Sequence, residues 1–543
     1  MAFKKGLHFP ILMAIGSACV PFSGFAAPAE HSIRLVPIGT YESGTFAAGA
    51  AEIVAHDPLS QRLFVVNAKA ASLDVLDISD PMNPTKVDEA SLLPFGGVAN
   101  SVAVRDGLVA VAVESIPKTS PGFVVFFDTD LNFINSVQVG SLPDMVTFSP
   151  NGRWVLTANE GEPNSYNNAN SGTIGPSVDP DGSVSIIDLS GGAESLTQAD
   201  VRTAGFSAYN HANVPAGIRI YGPNATVSQD LEPECVTVSA NSKTAFVTLQ
   251  ENNALAVIDI EGGVVTSLIP LGTKNHSLLG NKLDASDRDG VSNGPRINIA
   301  NWPVQGLYLP DAIDSYQVQG NTFLVLANEG DARADWPGFN EEARVGDATY
   351  VLDPTTFPNA VDLKRNANLG RLRVTNATGD TDKDGDFDVI HSFGGRSFSI
   401  RDASGNLVFD SGDQLEQLIA AVNPGFFNAS HDNNTLESRS PTKGPEPEGV
   451  VIGRAFGRFY AFVALERVGG IASYDISNPH APALADYVNF RNFTVPPNSG
   501  LAGDLGPEGI LFIKAEDSPV GQPLVVLGNE ISGTTTIYRV DRD

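Results

Sequence analysis

One short pattern returns seven times along this 543-residue chain, and it decides what the chain can fold into. Each copy opens on a strand-like run, most often Pro, then Asp or Glu, then an apolar residue. The openings are Ala51-Glu52-Ile53, Ala99-Asn100-Ser101, Pro143-Asp144-Met145, Pro233-Glu234-Cys235, Pro310-Asp311-Ala312, Pro447-Glu448-Gly449 and Pro507-Glu508-Gly509. A second run follows and is succeeded by Ala68, Glu114, Glu160, Glu251, Glu329, Glu466 and Glu530 in turn. A third run closes several copies on Asp-Ile-Ser or a close variant, as at Asp77-Ile78-Ser79 and Asp475-Ile476-Ser477. Such a unit cannot bury its faces alone, and small antiparallel sheets that bury themselves against their neighbours read as propeller blades. The sequence predicts an all-β fold, a seven-bladed β-propeller. The last copy lacks a fourth strand, and the strand-like run Ile33 to Tyr41 precedes the first, so the N-terminal strand is expected to complete the last blade and remove an open edge.

The two innermost strands of a blade run antiparallel, so the start of the first and the end of the second lie at the same end. Nearly all of these positions are acidic, and the carboxylates are expected to converge on one mouth of the central channel. So many like charges stay ionised in a confined space only if cations, hydrogen bonds or open water compensate them. Glu160, Glu234, Glu329, Glu448 and Glu508 are the candidate ligands of a divalent ion there, since carboxylates suit calcium, magnesium or manganese and no His or Cys cluster points to zinc. An acidic residue at a strand opening can equally cap a neighbouring blade's amides.

Residues 1–27 read as an export leader: Lys4 and Lys5, an apolar stretch from Leu7 to Val20, and small residues Gly24 and Ala26. A single domain is expected over 28–543, in the periplasm or outside the cell. Beyond the leader only Cys235 remains, so no internal disulfide is expected. The net charge of −29 argues against nucleic acid or an anionic membrane as partner. The expected state is a soluble monomer.

Three inserts interrupt the repeat: Glu162 to Asp181, Leu271 to Leu309, and a major one over 331–443 with a short helix around Gln414 to Val422. The last carries the sharpest local motif, Asp380-Thr381-Asp382-Lys383-Asp384-Gly385-Asp386-Phe387-Asp388. Oxygen ligands at alternate positions with Gly at the bend are what a calcium loop needs, so Asp380, Asp382, Asp384, Asp386 and Asp388 are expected to hold Ca2+. Asp287, Asp289 and Asn293 form an incomplete version. Arg333, Arg344, Arg439, Lys443 and Arg467 fall near strand ends, where an arginine can grip a phosphate or simply pair with a neighbouring Glu. His431 sits in a polar insert and is a candidate base or an exposed loop residue. No nucleophile elbow, phosphate loop or Cys pair is present.

Leu142 to Gly152, Ala158-Asn159-Glu160-Gly161-Glu162-Pro163, Asn328-Glu329-Gly330-Asp331-Ala332-Arg333 and Lys443-Gly444-Pro445-Glu446-Pro447-Glu448-Gly449 together resemble the choice-of-anchor I family of exported bacterial propellers. The resemblance covers essentially the whole chain after the leader. Members are often labelled alkaline phosphatase-like, and some are similar to an animal mesenchyme-specific cell surface glycoprotein. A looser similarity to calcium-dependent propeller phytases implies a metal-dependent phosphoester hydrolase. On that reading the mouth carboxylates hold divalent ions, Arg333 and Arg467 grip a small anionic substrate, and His431 is a further catalytic candidate. The alternatives are a non-catalytic, calcium-stabilised binding or cell-surface module, and a lactonase-like enzyme.

Overall fold

The computed structural model describes residues 32–166, 177–334 and 336–543. The expected leader, residues 1–27, lies outside them, as do the middle of the Glu162 to Asp181 insert and Asp335. Each repeat copy forms one four-stranded antiparallel sheet, and the seven sheets make a β-propeller. Their first strands, Val54–Asp57, Ala99–Arg105, Pro143–Phe148, Pro233–Val238, Ile313–Val318, Pro447–Ala455 and Pro507–Ile513, each lie against the next, and the last lies against the first. Strand Ile33–Glu42 pairs antiparallel with Thr534–Arg542, so the chain's N-terminal strand is the outer strand of its final sheet.

Apolar side chains fill the space between consecutive sheets. Leu63, Val65, Ile513, Leu524, Val526 and Ile537 form the layer where the last sheet meets the first. Leu156, Ile186, Val236 and Val247 do the same between the third and fourth. Each fully buried branched side chain contributes about 1.5–3 kcal/mol, so the ring is held chiefly by these layers. The recurring Asp at the end of a third strand has a local duty. Asp77, Asp188 and Asp475 each accept from the backbone N–H two residues on, at Ser79, Ser190 and Ser477, and so shape the turn to the fourth strand.

The major insert differs from its expected extent. It returns to the fifth sheet at Ser397–Asp402 and Leu407–Asp410, which are that sheet's third and fourth strands. Helix Gln414–Val422 follows and buries Leu415, Leu418 and Ile419 between the fifth and sixth sheets. The two long inserts also build a five-stranded sheet of their own from Thr273–Asn275, Gln305–Leu307, His391–Ser392, Arg373–Thr375 and Glu342–Arg344. Separate stretches of sequence supply its strands, which is why no local pattern announced it. Beneath it lie Leu283, Val304, Tyr350, Leu369 and Ile390.

Candidate functional site: a carboxylate-lined channel mouth

In four of the seven sheets a bulge at the start of the inner strand sets the carboxylate out of the ladder. In the third, sixth and seventh sheets Pro143, Pro447 and Pro507 pair with Asn159, Leu465 and Asn529, and the ladder resumes only three residues later. Proline has no N–H to give to a ladder and suits such a break. The skipped Asp144, Glu448 and Glu508 leave the sheet faces, while Glu160, Glu466 and Glu530 stand one residue beyond the paired ends. In the fourth sheet Pro233 pairs with Leu249, so the matching position belongs to Gln250 and not, as the repeat suggested, to Glu251. Gln250 Nε2 donates to Glu329 Oε2 at 2.9 Å. The glycines of the Pro-Glu-Gly openings reflect close approach. A Cβ on Gly449 would lie 2.2 Å from the Glu508 carbonyl oxygen, and one on Gly509 2.3 Å from that of Glu52.

The carboxylates interact across the ring. Burial raises Glu508 well above the usual carboxylate range, with Glu52, Glu530 and Asp311 adding to it. Burial likewise raises Glu448, reinforced by Glu466, Glu329 and Glu508, and Glu234, reinforced by Glu251, Asp311 and Glu160. Glu160 is raised by burial and then by Glu162 and Asp144. Glu52 is pushed up to about 8 by burial and Glu530, and Asp144 to about 7 by burial, Glu162 and Glu114. Glu234, Glu448, Glu466 and Glu508 each keep one buried carboxylate oxygen with no hydrogen-bond partner among the described residues. Glu160, Glu234, Glu329, Glu448 and Glu508 thus share one electrostatic neighbourhood, at the end of a 600 Å³ channel cavity lined by Asn100, Asp144, Asp311 and Glu508.

Its two arcs differ. On one, Lys443 Nζ lies 2.5 Å from Glu329 and 3.4 Å from Glu446, Arg439 Nε 2.7 Å from Glu446, and Arg467 3.0 Å from Glu446 and 2.8 Å from Glu466. Burial alone would raise Glu446, but Lys443, Arg439 and Arg467 pull it below the usual range. On the other arc Glu52, Glu508 and Glu530 are within 4.8 Å of one another, by one oxygen each, and make no ion pair among the described residues. His431, Glu466 and Glu530 form a second such trio. His431 is therefore no exposed loop residue. Its Nδ1 is 3.2 Å from Glu466 Oε1, and Arg467 Nη1 approaches both ring nitrogens at 3.0–3.1 Å. It also lines a 630 Å³ cavity with Phe46, Val495, Pro496 and Ile531.

Arg333 is the clearest departure from expectation. Only 2% exposed, it binds Asp230 at 2.5 Å and Glu232 at 2.6 Å and lies over the Tyr221 ring. Its guanidinium, expected at a substrate, is engaged with these two carboxylates inside the fold. Arg344 donates to the Arg371 carbonyl, and Arg371 pairs at 2.8 Å with Asp287 of the incomplete calcium pattern. In the acidic loop Asp380, Asp382 and Asp388 come within 4.8 Å of one another, as do Asp386, Asp388 and Asp353. Asp384 belongs to neither trio and accepts from the Asp386 N–H. Asp353 went unnoticed in the sequence because a bridge between Leu352 and Phe387 carries it to the loop.

The choice-of-anchor I domain matches residues 52–479. Over 190 residues the chain is 30% identical to gigasin-3a of Magallana gigas, a match to 33% of this chain and 66% of that protein. Over 289 residues it is 29% identical to the mesenchyme-specific cell surface glycoprotein of Strongylocentrotus purpuratus, 47% of this chain and 36% of that protein. The chain thus spans less than two thirds of either relative. Among solved structures it is similar to Kuenenia stuttgartiensis hydrazine synthase (13% identity, 93% of this chain and 100% of that one, TM-score 0.44) and to streptogramin B lyase (10%, 95% and 100%, TM-score 0.45).

Proposed function

The chain belongs to the choice-of-anchor I family, and we propose that its channel mouth is a divalent-cation centre in a propeller that serves as a binding module outside the cytoplasm. One observation carries the proposal: Glu52, Glu508 and Glu530 crowd together with no ion pair among the described residues, and Glu508 keeps a buried oxygen without a partner. Three such carboxylates repel unless protons or a cation intervene. A cation of charge two with oxygen ligands, calcium above all, fits donors of this kind. The acidic loop is a second calcium site on this reading, with Asp388 common to both of its trios. The exported setting rests on the leader-like residues 1–27 and on the similarity to the Strongylocentrotus purpuratus protein, a cell surface glycoprotein.

A metal-dependent phosphoester hydrolase is the second reading. It is favoured by His431, which touches both Arg467 and the carboxylates while lining a cavity large enough for a small ester. A cation there would polarise a phosphoryl oxygen or activate a water. Both arginines expected to grip the substrate, Arg333 and Arg467, are engaged in ion pairs, which weighs against it.

Calcium titration of the metal-stripped protein separates the readings. The module predicts a calcium-dependent rise in melting temperature, about 2.7 kcal/mol of stabilisation at a hundredfold excess over Kd. Glu508→Gln should lower the affinity of the mouth and Asp388→Asn that of the loop, with no turnover of a phosphomonoester or phosphodiester. Turnover abolished by Glu508→Gln would establish the hydrolase instead. A melting temperature indifferent to every divalent ion would defeat both.

A further inference from the structure

Glu530 belongs to two of the three mouth trios, one with His431 and Glu466, the other with Glu52 and Glu508; the third, Glu329, Glu446 and Glu466, is matched by Lys443, Arg439 and Arg467. We propose that Glu530 is the bridging carboxylate of a two-cation centre, with one ion held by His431, Glu466 and Glu530 and the other by Glu52, Glu508 and Glu530. The inference rests on the mouth being a divalent-cation centre and adds the number of ions, their positions and their shared ligand.

Three observations converge on it. Glu466 is only 4% exposed; its Oε1 faces Arg467 at 2.8 Å and His431 at 3.2 Å, whereas its Oε2 is buried with no partner. Glu508 likewise keeps a buried Oε2 without a partner. Glu466 and Glu508, one from each trio, thus each carry a buried oxygen without a partner among the described residues. The second observation is charge. Lys443, Arg439 and Arg467 match Glu329, Glu446 and Glu466 one for one, which leaves Glu52, Glu508 and Glu530, with Glu448 and Asp311 behind them, without a cation of their own among the described residues. One divalent ion offsets two of those five carboxylates; two ions offset four.

The third is donor chemistry. The trio of Glu52, Glu508 and Glu530 is all oxygen and suits a hard ion, while His431 adds a nitrogen to the other. Glu466 Oε1 beside Nδ1 orients the imidazole, as carboxylates do for ligating histidines. Arg467 Nη1 stands 3.0 Å from Nε2 and must move aside for an ion to enter, so the all-oxygen site fills first. His431 on the wall of the 630 Å³ cavity provides the entry path.

Manganese serves as the probe, because it accepts both donor sets and is visible by anomalous scattering and by electron paramagnetic resonance. Crystals of the full chain soaked in Mn2+ should show two anomalous peaks flanking Glu530, well separated from any in the 380–388 loop, and the mouth pair should give an exchange-coupled resonance spectrum. Glu530→Gln should keep at most one mouth ion and lose the coupling. His431→Ala, on an insert and away from the blade cores, should lose only the ion next to Glu466 and serves if Glu530→Gln does not fold. A single, uncoupled mouth ion would overturn the pair while leaving the cation centre standing. No mouth ion at all would overturn both.

Discussion

Arg333 and Arg467 follow the same kind of strand end, yet only Arg467 reaches the mouth. Arg333 turns inward to Asp230 and Glu232, residues about a hundred positions earlier, just ahead of the fourth sheet, whose approach depends on how the insert of the fifth sheet folds back. Truncating it strands two buried carboxylates. Arg333→Ala is expected to cost about 3–5 kcal/mol in urea denaturation, with Arg333→Lys recovering part of the loss, and neither change should alter calcium affinity at the mouth. The identity of the ring carboxylates was legible from their spacing, because Pro-Glu and the acidic strand end recur in register. Which of them carry a partner was not. Lys443, Arg439 and His431 arrive from an insert, and sequence spacing says nothing about where an insert folds back.

Strand pairing sets the next scale. The bulge after Pro143, Pro447 and Pro507 explains why the acidic residue points into the channel, and the Pro-Glu-Gly triplet was a local sign of it. The closing strand Ile33–Glu42 buries Ile33 and Leu35 and covers the edge of Thr534–Arg542. Deleting residues 32–42 should destabilise the fold by at least about 3 kcal/mol from those two side chains and expose a strand edge. Size-exclusion chromatography should then show self-association, and a thermal melt an early, irreversible transition. Helix Gln414–Val422 lies where its apolar spacing places it, whereas the return of the insert to the fifth sheet at Ser397–Asp402 was hidden among loop-like sequence.

At the scale of the whole molecule, the mouth couples stability to protons. Glu52 is raised to about 8, and Asp144 and Glu251 to about 7, with burial the leading cause in each. The folded state therefore holds protons that the unfolded chain releases above about pH 4.5, so without metal the stability these groups confer is present at low pH and is lost as pH rises towards 8. Melting temperatures in chelator should fall across that window, and calcium should flatten the fall by replacing the protons. The sequence alone determined the ring and its acidic rim, because a repeat that cannot bury its own faces must stack, and stacking brings equivalent positions to one end. Only the tertiary structure decided which arc of that rim is ion-paired and which has no ion pair among the described residues, because side chains from the inserts and from distant blades supply the compensating charge.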